Sequence, residues 1–150
     1  MLRLSVRTIN KGEGVVAFAA LLGFVVTLQF LGGAYASGFG GYPDEPAHLM
    51  TSLMIRDFIA SLDFRHPLQF AQQYYYHYPK VAIGVWPPVL YGALGIWFLL
   101  VGASRGSAML FIALVAATTA SVIYSTGKRL VGRWAGVLAA ALFIASPTTP

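Results

Sequence analysis

Residues 15–35 run without a single charged side chain, and this stretch restricts the fold more than any other feature of the chain. A helix needs about 20 apolar residues to cross ~30 Å of hydrocarbon, and this run has that length. No water is available in lipid to satisfy backbone N–H and C=O groups, so such a run has to be helical. Three further apolar stretches follow, at residues 82–101, 108–124 and 134–145. The last is short for a span and is expected to be tilted, incomplete or continued by helix beyond Pro150. Composition agrees: 57% of residues are hydrophobic, 10% are charged, and the mean hydropathy is +0.69. Soluble domains carry about 25% charged residues, so this chain has too few to cover a water-facing surface. The expected fold class is an all-α membrane protein, with about four transmembrane helices. A long extracytoplasmic first loop should contain an interfacial amphipathic helix. The boundaries read as a cytoplasmic N-terminus at 1–14 and spans at 15–36, 82–102, 107–126 and 130–147, with the loop at 37–81.

The formal net charge is +5 and the pI is near 9.8. The basic residues flank the apolar runs, where topology signals and lipid headgroup contacts sit. No basic stripe interleaved with aromatics is present, so nucleic acid is not an expected partner. With no cysteine, disulfides, thiolate nucleophiles and cysteine-ligated metals are excluded. Arg3, Arg7 and Lys11 precede the first run, and Ala34-Tyr35-Ala36 resembles a signal-peptide cleavage site. A signal core is roughly 7–15 residues, shorter than this run, so a retained anchor is expected. Placing the N-terminus inside puts the long loop outside, Arg105 inside, and Lys128, Arg129 and Arg133 outside. Total charge does not decide that orientation, because the basic residues divide almost evenly; the first helix usually dominates and favours it.

The loop holds four of the five acidic residues, Asp44, Glu45, Asp57 and Asp63, and all three histidines, His48, His66 and His77. Chemistry concentrates in loops carried by a rigid scaffold. Residues 38–43 read as a turn. Asp44 can cap a helix that opens at Glu45-Pro46 and continues to about Leu62. Leu49, Met50, Leu53, Met54 and Phe58 share one side of that helix, and His48, Ser52 and Arg56 another. Asp57 falls inside the apolar stripe and requires a buried partner. The cluster Tyr74, Tyr75, Tyr76, His77, Tyr78 suits a membrane–water interface. Small residues at 116, 117, 120, 135, 136, 139 and 140 allow helices to approach closely. The adjacent acids Asp44-Glu45 admit two readings, a helix cap with a first-turn Glu favoured by the helix dipole, or a chemical site. The three histidines match no compact ligand spacing; His48, one helical turn after Asp44, is the only one of them kept as a candidate ligand.

The run Gly41-Tyr42-Pro43-Asp44-Glu45-Pro46-Ala47-His48 follows the first apolar segment. Downstream come Tyr78-Pro79-Lys80-Val81-Ala82-Ile83-Gly84-Val85-Trp86-Pro87-Pro88-Val89-Leu90-Tyr91, another apolar segment, the basic turn Gly127-Lys128-Arg129-Leu130-Val131-Gly132-Arg133, and an ending Ala145-Ser146-Pro147. In order and spacing this resembles the N-terminal part of the GT-C superfamily of membrane glycosyltransferases. It is most similar to the protein O-mannosyltransferase and aminoarabinose transferase type, glycosyltransferase family 39. The resemblance implies transfer of a sugar from a polyprenyl-phosphate carrier to an extracytoplasmic hydroxyl on a protein, lipid or glycan. It makes Asp44 the expected general base, with Glu45 its neighbour. Lys80 is the expected contact to the donor phosphate, where a cation offsets developing charge. His48 and Tyr78 are expected to line the acceptor side. No cofactor is required, although the resemblance allows a divalent metal. The implied location is a bacterial plasma membrane with the site facing outside. Val85-Trp86 departs from the charged or histidine residue that relatives often carry before the paired prolines. Relatives are several times longer, so the chain is expected to be a fragment that is inactive alone. Two other classes remain: a small non-catalytic membrane protein (a subunit or a truncated remnant of such an enzyme), and a transporter fragment, which the uncharged span interiors disfavour.

Overall fold

A computed structural model describes residues 10–36, 44–82 and 84–146. The turn expected at 38–43, including Tyr42 and Pro43 of the acidic run, lies outside the described residues, as do Arg3 and Arg7. Among the described residues the chain is all-helical, with six helices and no strand: α1 Lys11–Leu31, α2 Asp44–Ser61, α3 Pro67–His77, α4 Pro88–Val101, α5 Arg105–Leu130 and α6 Arg133–Ala145. Two of them, α1 and α5, are long and apolar enough to cross a membrane. At 1.5 Å per residue each spans about 30 Å or more. The 14-residue α4 and the 13-residue α6 are apolar but shorter.

The described residues fall into two compact units, one within Met1–Gly32 and Ile112–Pro150, the other within Gly33–Phe111. In the first, Asn10 caps α1 by accepting from the Gly12 amide at 3.3 Å. A helix in a water-soluble domain turns an apolar stripe inward and polar residues outward. In α1 only Val25 is buried, while Val15 and Val16 are each 68% exposed and Leu31 76%. Helix α5 runs antiparallel to α1. The Glu13 carboxylate accepts from the Tyr124 hydroxyl at 3.0 Å and pairs with Lys128, and further along Ala17 and Leu21 pack against Ala120, Tyr124 and Ala140. Ala113, Ala117 and Ala120 of α5 are fully buried. Helix α6 meets α5 at a pair of glycines. A Cβ on Gly136 would sit 2.5 Å from the Tyr124 carbonyl oxygen and 2.9 Å from the Lys128 amide, and a Cβ on Gly127 would sit 2.8 Å from the Gly136 Cα. Close helix approach of this kind needs residues without a side chain.

In the second unit α2 packs along α4. Gly95 admits the close contact, since a Cβ there would lie 3.1 Å from the Ser52 carbonyl oxygen and 3.2 Å from the Arg56 amide. The core joins Leu94 and Phe98 of α4 to Ala108, with Leu49 and Leu53 of α2, Trp97 and Phe111 packed against it. Trp97 satisfies its indole N–H at the Ser107 hydroxyl, 2.9 Å away. Helix α3 is a finding beyond the sequence reading, which left residues 67–77 without an element of their own. Pro67 opens it, where a missing N–H costs nothing, and Ala71 is its buried residue. Phe70 and Tyr74 of α3 continue an aromatic ladder from Phe58 at centroid spacings of 5.2 and 5.9 Å.

Two substitutions separate close packing from helix propensity. Gly136→Ala drives a methyl into backbone atoms of α5, and overpacking of this kind costs about 1–3 kcal/mol. Gly23→Ala, with nothing within 4 Å of its added carbon, should leave the protein as stable or slightly more so. Thermal unfolding in detergent compares them, and equal midpoints would refute the glycine contact.

Candidate functional site

The chemistry-bearing residues of the second unit gather at the N-terminal end of α2. Asp44 and Glu45 open that helix, where carboxylates are favoured by the unpaired first-turn amides and the helix dipole. Asp44 is exposed. Glu45 is half-buried and forms an ion pair with Arg105, the first residue of α5, at 3.2 Å. The same guanidinium donates from Nε to the carbonyl oxygen of Ala34 at 2.8 Å. Arg105 therefore ties together both ends of the unit and the acidic helix start, using the fork of donors that suits guanidinium for such a role.

One turn along α2, His48 shares a 2.7 Å hydrogen bond between Nδ1 and the Tyr91 hydroxyl. Its ring lies 4.5 Å from that of Trp86 and 5.6 Å from that of Tyr91. Asp44 lies one helical turn before His48 on α2, so carboxylate, imidazole and phenol gather at one end of that helix. The segment carrying Trp86 is anchored by Thr51. The Thr51 hydroxyl donates to the Ala47 carbonyl at 2.7 Å and accepts from the Ala82 amide at 3.1 Å, and Val81 beside it is buried. Trp86, which departs from the pattern of the resembled family, thus forms one wall around His48.

The other two sequence-derived candidates take different surroundings. Tyr78 is exposed and stacks on Tyr74 at 4.9 Å. Lys80 is exposed and lines an open groove with Tyr75, Pro79, Val81, Ala82 and Val85. The structure thus brings Asp44, Glu45 and His48 together and sets Lys80 and Tyr78 on the adjoining segment. Asp57 has its partners: it pairs with Arg56 at 2.5 Å and accepts from the Tyr74 hydroxyl at 2.9 Å, but its side chain remains 35% exposed. Burial, with the hydrogen bond to Asp57 adding to it, pushes the Tyr74 phenol well above its ordinary range. Among the described residues no group of three His, Asp or Glu side chains converges to hold a metal.

Arg105, Tyr91 and Trp86 were not singled out as site residues from sequence. Arg105 read as a topology charge, and its partner Glu45 is 60 residues away, a separation no local spacing reveals. The one available signal was an arginine starting an apolar helix in a chain poor in charge.

Glu45→Gln and Arg105→Gln in a double-mutant cycle should show about 1 kcal/mol of coupling, because the pair is only partly shielded from water. Tyr74→Phe should detach α3 from α2 by a similar amount, about 1 kcal/mol. A folded-state phenol raised above its unfolded value stabilises below the unfolded value, near pH 10, and the contribution fades as pH climbs through the folded one. Unfolding of wild type and Tyr74→Phe should therefore differ at pH 8 and converge in strong alkali; a gap that persists there contradicts the assignment. No protein-family model matches the chain, and neither the curated proteins nor the solved structures contain a match to it.

Proposed function

We propose that this chain is the N-terminal part of a multi-pass membrane glycosyltransferase. Its substrates are a polyprenyl-phosphate-linked sugar and an acceptor hydroxyl on a protein, lipid or glycan. The observation that carries the reading is the acidic start of α2, where exposed Asp44 adjoins the Glu45–Arg105 ion pair and the His48–Tyr91 hydrogen bond. The exposed apolar surface of α1 supports the membrane setting.

The chemistry follows from what such a transfer needs. A hydroxyl becomes a better nucleophile as a positioned carboxylate takes its proton. Asp44 has the exposure for that role. Glu45, engaged with Arg105, is held as an acceptor-side neighbour. The leaving group is a lipid phosphate, whose growing negative charge calls for a cation, and Lys80 on the adjoining segment is assigned to it. His48 and Trp86 shape the acceptor side, and Tyr78, two residues before Lys80, is a further candidate to line it. The site faces the extracytoplasmic side of a bacterial plasma membrane.

A second reading is a small non-catalytic membrane protein, in which Asp44 and Glu45 serve as helix cap and tether. The two separate in one assay. In membranes carrying the complete reading frame, Asp44→Asn should lower sugar transfer from a polyprenyl-phosphate donor by about 100-fold or more, the usual scale for losing a general base. Membrane insertion should be unchanged. Turnover at the wild-type rate would remove Asp44 from the mechanism, and absence of transfer by the wild type would favour the non-catalytic reading.

A further inference from the structure

We infer that the whole segment between α1 and α5, apolar helix α4 included, stays on one side of the membrane, so that α4 is not a span. The inference rests on the membrane reading given above and revises the crossing expected at residues 82–102.

The first unit alone carries the argument. Glu13, near the start of α1, pairs with Lys128 and Tyr124, near the end of α5, and Ala17 and Leu21 follow on to Ala120. The two long helices are antiparallel, so the chain leaves α1 and enters α5 at the same membrane face. The intervening segment must then cross an even number of times. Helix α2 is no candidate for a crossing: it carries Asp44, Glu45, His48, Arg56 and Asp57, and ionisable groups at the bilayer centre are costly. Helix α3 has 11 residues, about half the length a crossing requires. With neither crossing, α4 does not cross either. Its 14 residues reach about 21 Å, short of the ~30 Å core. The second unit agrees by its own geometry, since Arg105 at one end bonds Ala34 at the other.

Two consequences follow. Asp44, Glu45, His48, Lys80 and Arg105 all belong to one face, so Arg105 joins the site as a residue that positions Glu45. The basic turn with Lys128, Arg129 and Arg133 shares the opposite face with Arg3, Arg7 and Lys11. Basic residues next to the helix ends now collect on the N-terminal side, and the positive-inside rule makes that side the cytoplasm. With α4 counted as a crossing the ten basic residues divide four to six against that orientation, and without it they divide six to four in its favour.

The chain has no cysteine, so single cysteines report without background. Gln69→Cys, Ala103→Cys and Val131→Cys are at exposed positions in α3, the α4–α5 turn and the α5–α6 turn. Intact cells treated with a membrane-impermeant maleimide should label Gln69→Cys and Ala103→Cys, and Val131→Cys should label only after lysis. Ser104→Cys and Arg129→Cys replace any variant that fails to accumulate. Labelling of Gln69→Cys and Ala103→Cys from opposite sides overturns the inference. Labelling of Ala103→Cys and Val131→Cys from the same side overturns it as well. A protein released from membranes by alkaline carbonate defeats the membrane reading itself.

Discussion

A carboxylate set between two apolar helices needs a partner, and Glu13 finds two on α5, the Lys128 ammonium and the Tyr124 hydroxyl. This contact sets the register of α1 against α5. The Glu13 side chain is still 37% exposed, so the contact is worth less than a fully buried pair and acts with the packing of Ala17 and Leu21. Ala120, fully buried, then lets α5 approach Ala17 and Leu21 of α1. Gly127 and Gly136 do the same between α5 and α6. Charge picks the register and small residues accommodate it.

At the other end of α5, Arg105 plays the complementary part. It binds a carbonyl just after α1 and a carboxylate at the start of α2, so the acidic helix start is held where the long helix begins. The α2–α4 pairing, close enough to require Gly95, supplies the rigid base beneath His48 and Tyr91. Asp44 is thereby displayed at the same helix start as the Glu45–Arg105 pair, one turn before His48. Under the proposed transferase reading these groups would orient an acceptor, with the acidic pair dividing the work: one carboxylate anchored, the other open to solvent.

Much of the element pattern was legible from the chain itself. The long apolar runs gave α1 and α5 because backbone pairing leaves such runs no other form. The signals at Asp44-Glu45-Pro46 marked the start of α2, and the aliphatic positions Leu49 and Leu53 do face its core. Helix α3 escaped notice because its polar and aromatic residues give a weak apolar period, and its aromatics suited an interface equally well. The site was half legible: Asp44, Glu45 and His48 are neighbours along one helix and could be grouped by spacing, whereas Trp86, Tyr91 and Arg105 reach them only through folding.

Local physics therefore determined most of the helices: the sequence alone pointed to a helical chain with about four spans, and the structure gives two helices, α1 and α5, the length to cross. Tertiary structure decided which charges meet. Glu13 with Lys128 and Glu45 with Arg105 are pairings across 115 and 60 residues. Each is selected by what lies within a few ångströms once the helices pack, a distance that sequence separation does not encode. Those two pairings carry the proposal for which side of the membrane each segment occupies.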